Sequence, residues 1–222
     1  MLALAERVDY HWNMSAIRIR SLDAPFDSPA IARKAMGAIS RAEAMGLLVG
    51  LRGGIDRLDL PTFRRLLDAI SMAGIGPALI ADLRAGRGTD AKRIAKALDG
   101  LQDALAGSPS PGTEWPQLES VLGCDLLARL TCVSPSSLRR YLRSARVTPD
   151  DVAARAHFLA LVLGHLAGAY NDIGIRRWFD RKRSHLQGRS PGSFLVGRWN
   201  PDNAEPRRIL ALAEALQDAP TT

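Results

Sequence analysis

From Thr148 to about Tyr170 the chain carries one long helical signal whose middle is apolar nearly all round. Thr148-Pro149-Asp150-Asp151 reads as a helix start: a threonine cap, a proline pre-set in φ, then two carboxylates at the positive end of the helix dipole. Val152, Phe158, Leu159, Leu161, Val162, Leu163 and Leu166 follow, and from Phe158 to Leu166 almost no polar face remains. Such a helix must be covered on all sides, so it is expected as a central helix or as one half-buried in a dimer interface. It is not a membrane span. The longest apolar run, Phe158 to Leu163, falls far short of the ~18–20 residues needed. His157 and His165 lie eight apart on one face with no third ligand at a convincing spacing, and read as core or interface histidines.

A buried helix needs amphipathic partners, and the sequence supplies them. Ser28-Pro29 opens a helix with Ile31, Ala35, Ala38, Ile39 and Ala42 at helical spacing, thinning at Gly46 and Gly50. A second is expected from Pro61 to Gly74, with Phe63, Leu66, Leu67 and Ile70 on one face. A third runs about Pro77 to Ala85. A fourth, capped by Thr89 or Asp90, carries the stripe Ile94, Leu98, Leu101 and Leu105, a core stripe. Ala16 to Arg20 alternates and suggests one short strand, too little for a sheet. Gly107-Ser108-Pro109-Ser110-Pro111-Gly112-Thr113 holds two prolines and two glycines in seven residues and reads as a linker. The expectation is an all-α protein of two helical domains: an N-terminal domain over 1–107, a linker over 108–116, and a second domain over 117–222. No repeat of ~20–50 residues is evident.

Charge is unevenly placed. Thirty Lys and Arg against twenty-three Asp and Glu give a net charge of +7. Thirteen basic and four acidic residues fall between Arg129 and Arg198, so the rest of the chain sums to −2. Lys182 is the only lysine of that segment, and arginine offers the planar fork that suits phosphates and guanine edges. A GC-rich genome would also inflate arginine, so the excess alone leaves both readings open. Glu6 and Asp9 directly after Met-Leu-Ala-Leu-Ala speak against a secretory signal. Two cysteines in 222 residues make no disulfide framework and fit a reduced, cytoplasmic protein.

The segment Leu126 to Leu142 carries the chemistry. It reads as a short helix, a tight turn and a second helix. Ala128 is small where the helices would cross, Val133 plugs the angle between them, Ser134 caps and Pro135 opens the second helix. Leu138, Tyr141 and Leu142 face inward, leaving Ser136, Ser137, Arg139, Arg140 and Arg143 outside. DNA reading requires such a helix in the major groove, with serine hydroxyls and arginines near its start. The stretch Leu-Ala-Arg-Leu-Thr-Cys-Val-Ser-Pro-Ser-Ser-Leu-Arg-Arg-Tyr resembles the helix-turn-helix of bacterial MerR and Xre-type regulators. The wing and long coiled coil of a MerR protein do not follow. Cys132 stands where those patterns usually have glycine, and a slightly altered turn is expected there.

Downstream, Asn171 to Phe179 starts a helix with Ile175, Trp178 and Phe179 on its apolar edge. Leu186-Gln187-Gly188-Arg189-Ser190-Pro191 is a turn feeding a Ser-Pro helix start, with Phe194 and Leu195 buried soon after. Trp199-Asn200-Pro201-Asp202 is a second turn. A final helix begins near Pro206, with Ile209, Leu210, Leu212 and Leu216 inward. Trp178, Leu186, Gly188 and Pro191 occupy places that make residues 117–217 resemble the Xre-type antitoxins of the MbcA/ParS group. That resemblance implies a homodimer that binds its own operator in double-stranded DNA and masks a RES-domain toxin that consumes NAD. The DNA-binding candidates are Ser134, Ser136, Ser137, Arg139, Arg140 and Arg143. Arg176, Arg177, Arg181, Lys182 and Arg183 flank Trp178 and Phe179 as candidates for phosphate or partner contacts. The other reading is an interaction module whose basic half docks an acidic protein without touching DNA. No nucleophile arrangement, phosphate loop or metal-ligand spacing appears; Cys124 and Cys132 have no partner pair, so neither an enzyme, a cofactor nor a metal site is expected.

Overall fold

The computed structural model describes residues 17, 19–51, 55–85 and 91–216. Helices dominate it, and the sheet among these residues is a two-residue parallel pair, β1 (Ser21–Leu22) beside β2 (Arg57–Leu58), with Ser21 opposite Arg57. The expected strand at 16–20 is displaced. Ile17, Ile19 and Arg20 lie outside β1, and Ala16 and Arg18 lie outside the described residues.

Helix α1 (Pro29–Ala44) buries Ile31, Ala35, Ala38, Ile39 and Ala42, the stripe its spacing predicts. Ser28 adopts the extended cap conformation, but its hydroxyl makes no cap bond. Past the helix end, Gly46 takes a φ of +74°, and any Cβ there would collide with the Thr113 carbonyl oxygen. Helix α2 (Leu60–Met72) starts one residue before Pro61, because Asp59 accepts a hydrogen bond from the Thr62 N–H at 2.8 Å. Helices α3 (Pro77–Ala85) and α4 (Ala91–Ala106) follow as expected, α4 burying Ile94, Leu98, Leu101 and Leu105. Thr89 and Asp90, expected to cap α4, lie outside the described residues.

Helix α5 (Pro111–Leu122) begins inside the stretch read as a linker. Only Gly107 to Ser110 are non-helical there. Pro111 and Gly112 sit in the first turn, where proline has no hydrogen bond to lose. Then come α6 (Cys124–Thr131), α7 (Pro135–Leu142), α8 (Asp150–Leu166), α9 (Asp172–Asp180) and α10 (Ala204–Glu214). Short 3-10 turns at Ser184–Leu186 and Pro191–Phe194 stand where the leucine turn and the Ser-Pro start were expected.

Helix α8 is the centre. Helices α1, α5, α6 and α10 pack on it, and every residue from Arg155 to Leu166 is buried within the single chain. The central-helix reading therefore accounts for its apolar surface without a second copy. Gly164 makes the α1 approach possible: a Cβ there would lie 3.1 Å from the Arg41 Cα. Two details differ from expectation. Pro149, not Thr148, occupies the α8 cap position, because the Thr148 hydroxyl instead accepts the Trp115 indole N–H at 3.0 Å. The helix also stops at Leu166 rather than Tyr170, because Asn171 must be extended to cap α9 through the Gly174 N–H. Buried apolar side chains from Ile17 to Ala213 join in one cluster that includes α1, α4 and α8. Among the described residues, no helix is long and apolar enough to cross a membrane.

Candidate nucleic-acid interface

The surface of interest is built by α6, a three-residue turn and α7. Leu127, Ala128 and Leu130 bury the inner face of α6, and Leu138 and Tyr141 bury that of α7; Leu142 is half-buried. Tyr141 stacks on the fully buried Trp115 of α5 with ring centroids 5.5 Å apart. That stack and the Trp115–Thr148 hydrogen bond tie α7 to the scaffold.

Cys132 keeps the left-handed turn. It sits at φ 57° and ψ 39° as the C-cap of α6, so the expected alteration of the turn does not occur. The Val133 N–H closes onto the Ala128 carbonyl at 3.1 Å. The Cys132 thiol points to the Arg129 carbonyl at 3.5 Å and the Leu195 carbonyl at 3.7 Å, weak contacts that help hold a conformation unfavourable for an L-residue. Cys132→Gly is therefore expected to raise stability by about 1 kcal/mol, whereas the β-branched Cys132→Val lowers it. Urea unfolding of the two variants checks this, and a glycine variant weaker than wild type would show that the thiol contacts outweigh the backbone strain.

At the start of α7 the Ser134 hydroxyl accepts the Ser137 N–H at 3.2 Å and lies 3.0 Å from the hydroxyls of both Ser136 and Ser137. Ser134 is thus the helix cap as expected, and the three serines form one hydroxyl cluster. Ser136, Arg139, Arg140 and Arg143 are exposed, and Ser137 is half-buried. The Arg139 Nε donates to the Pro135 carbonyl at 3.2 Å, leaving the rest of its guanidinium outward. Ser144, in a second left-handed position at φ 53°, terminates α7, with the Ala145 N–H reaching back to the Arg140 carbonyl at 2.9 Å.

The second basic cluster divides by role. Arg176 spends its Nε on the Val121 carbonyl at 2.5 Å, which fastens α9 to the end of α5. Arg183 is half-buried, with its guanidinium 5.0 Å from the Trp178 ring centroid and its backbone paired to Arg189. Arg177, Arg181 and Lys182 remain exposed. Beside them Arg129 of α6 pairs with Asp180 at 2.8 Å. His157 and His165 are both buried, as expected of core histidines. The His157 Nδ1 lies 2.6 Å from a Glu114 carboxylate oxygen, and the His165 Nε2 lies 3.4 Å from an Arg41 Nη.

Sequence reasoning missed the flank of α7. A polar cleft of about 470 Å³ lies between α7 and the start of α8, and three arginines line it: Arg146, Arg155 and Arg198. Arg198 comes from a loop far away in sequence, so no periodicity signals it. The comparisons add no relative: no family model matches the chain, and neither curated proteins nor solved structures give a significant match.

Proposed function

We propose that the chain is a sequence-specific DNA-binding protein that acts as a transcriptional repressor. The observation that carries this reading is α7 itself. Leu138 and Tyr141 anchor it from below, while Ser136, Arg139, Arg140 and Arg143 are exposed on its outer side next to a capped, positively polarised N-terminus. A helix held this way has the donors to meet phosphates with its first turn and guanine edges with its arginines. The unit proposed is a cytoplasmic homodimer, because two copies would offer two α7 helices to a two-fold-related operator. By the resemblance of residues 117–217 to Xre-type antitoxins, we further propose that it neutralises a RES-type toxin.

The test is a mobility shift of the purified chain on its own upstream DNA at 50 and 200 mM salt, with an unrelated duplex as competitor. A shift that resists the competitor and weakens steeply with salt is expected, by roughly a thousandfold or more if six phosphates are contacted. No shift, or one that the unrelated duplex removes, overturns the reading and redirects the basic half toward an acidic protein partner.

A further inference from the structure

The cleft beside α7 is cationic and rigidly framed. Arg155 is 3 % exposed, and both its Nε and one Nη are spent on Asp151, at 3.0 and 2.6 Å. Arg146 and Arg198 are exposed, and among the described residues neither has a carboxylate partner. Three guanidiniums against the single carboxylate of Asp151 leave a net positive wall.

Both free arginines are set on fixed supports. The Arg146 guanidinium lies 5.9 Å from the centroid of the Tyr141 ring, which is itself stacked on Trp115. Arg198 precedes Trp199, a buried indole whose N–H donates to the Leu130 carbonyl at 2.8 Å and whose ring meets Phe158 edge-on at 5.1 Å. Leu195, also buried, places its carbonyl on the Cys132 thiol. The segment carrying Arg198 is thereby held at both ends, by Leu195 on Cys132 and by Trp199 on Leu130 of α6. An arginine on a pinned segment loses less freedom on binding than one on a loose loop. Ser134 and Ser137 add hydroxyls to the same wall.

We infer that this cleft seats a phosphate of the DNA backbone, with Arg146 and Arg198 as its cationic donors. The inference rests on the DNA-binding reading and adds to it a sequence-independent anchor on the flank of α7. Phosphate contacts of this type fix register without reading bases, so they would set how α7 enters the groove.

The experiment measures equilibrium binding of two duplexes, the protein's own upstream DNA and an unrelated sequence, over 50–200 mM salt. The proteins are wild type, Arg146→Ala, Arg198→Ala, the double variant and Arg198→Lys. Each alanine variant is expected to weaken both duplexes by the same factor, on the order of tenfold. Each should also flatten the salt slope by about one, a roughly four-fold smaller loss between 50 and 200 mM. Arg198→Lys should restore most of the slope, and unchanged thermal unfolding of the variants shows that they fold. Unchanged affinity and slope in the double variant, with wild type still binding its own DNA, overturns the anchor and leaves the DNA reading standing. Loss confined to the upstream DNA overturns it as well, since that is base readout. A thermal shift of the free protein with inorganic phosphate that the double variant abolishes, while duplex affinity stays the same, assigns the cleft to a free phosphate and also overturns it. Absence of any duplex binding by wild type removes the reading and the anchor together.

Discussion

His157→Leu is expected to cost about 3–5 kcal/mol of folding stability, because it strands a buried carboxylate. Glu114 is 0 % exposed, and its Oε1 lies 2.6 Å from the His157 Nδ1, while its Oε2 has no hydrogen-bond partner among the described residues. The other ring nitrogen, Nε2, lies 2.9 Å from the Ala106 carbonyl at the end of α4. A carboxylate and a carbonyl both accept hydrogen bonds, so the arrangement calls for a ring that donates from both nitrogens, the imidazolium. Burial by itself pushes the His157 pKa down, but the hydrogen bond and charge of Glu114 and the Ala106 carbonyl outweigh it. The net result is a pKa raised above 6.5. The sign follows from that direction. A group with a raised folded pKa contributes stability in full below its unfolded value, and the contribution fades as pH rises through the folded value. Wild-type stability should therefore decline on the alkaline side, and the slope should flatten in His157→Leu. The double variant His157→Leu/Glu114→Leu should regain much of the loss, since it replaces the pair with apolar groups rather than leaving one charge alone. Urea midpoints between pH 5.5 and 9 measure both effects. A pH profile unchanged by His157→Leu would mean that the ring is neutral in the fold.

The importance of that pair is that it joins three helices, α4 through Ala106, α5 through Glu114 and α8 through His157. It also shows what a sequence hides. Helices with a clear apolar period, such as α4 with Ile94, Leu98, Leu101 and Leu105, are legible because burial repeats every turn. The start of α7 is legible because Ser134-Pro135 states a local chemistry that the structure then uses. Thr148 carried an equally good local signal as a cap, and a buried indole from α5 claimed its hydroxyl instead. Pro111 and Gly112 looked like a break because local composition favours a loop, yet one proline at the first helical position begins a helix as readily as it ends one. Cys132 is left-handed although its side chain disfavours it, since the approach of α6 and α7 fixes the turn and the residue must comply. Contacts between distant segments leave no local trace. Glu114 opposite His157, and Arg198 beside Arg146, are products of the packing around α8.

On the outer side of α7, Arg139→Ala and Arg140→Ala are each expected to weaken binding to the upstream DNA by about 1–3 kcal/mol, roughly 5- to 150-fold. Both residues are exposed and one position apart, so neither supports the core and both point away from Leu138 and Tyr141. Folding stability should therefore stay within about 0.5 kcal/mol of wild type, as for surface changes generally. By contrast, Leu138→Ala should destabilise the protein by about 2–5 kcal/mol through a cavity beneath α7. Base reading also predicts a pattern. An unrelated duplex, held by phosphates alone, should lose much less than the upstream DNA. Arg140→Lys should not recover the specificity, because a single ammonium lacks the two parallel donors that match guanine O6 and N7. Equal losses on both duplexes, or full recovery by lysine, would reduce these arginines to phosphate contacts, and the sequence information would have to come from the serine cluster at Ser134, Ser136 and Ser137. That alternative has its own signature: Ser136→Ala, whose hydroxyl is exposed, would then change the preferred sequence while leaving the salt slope as it is.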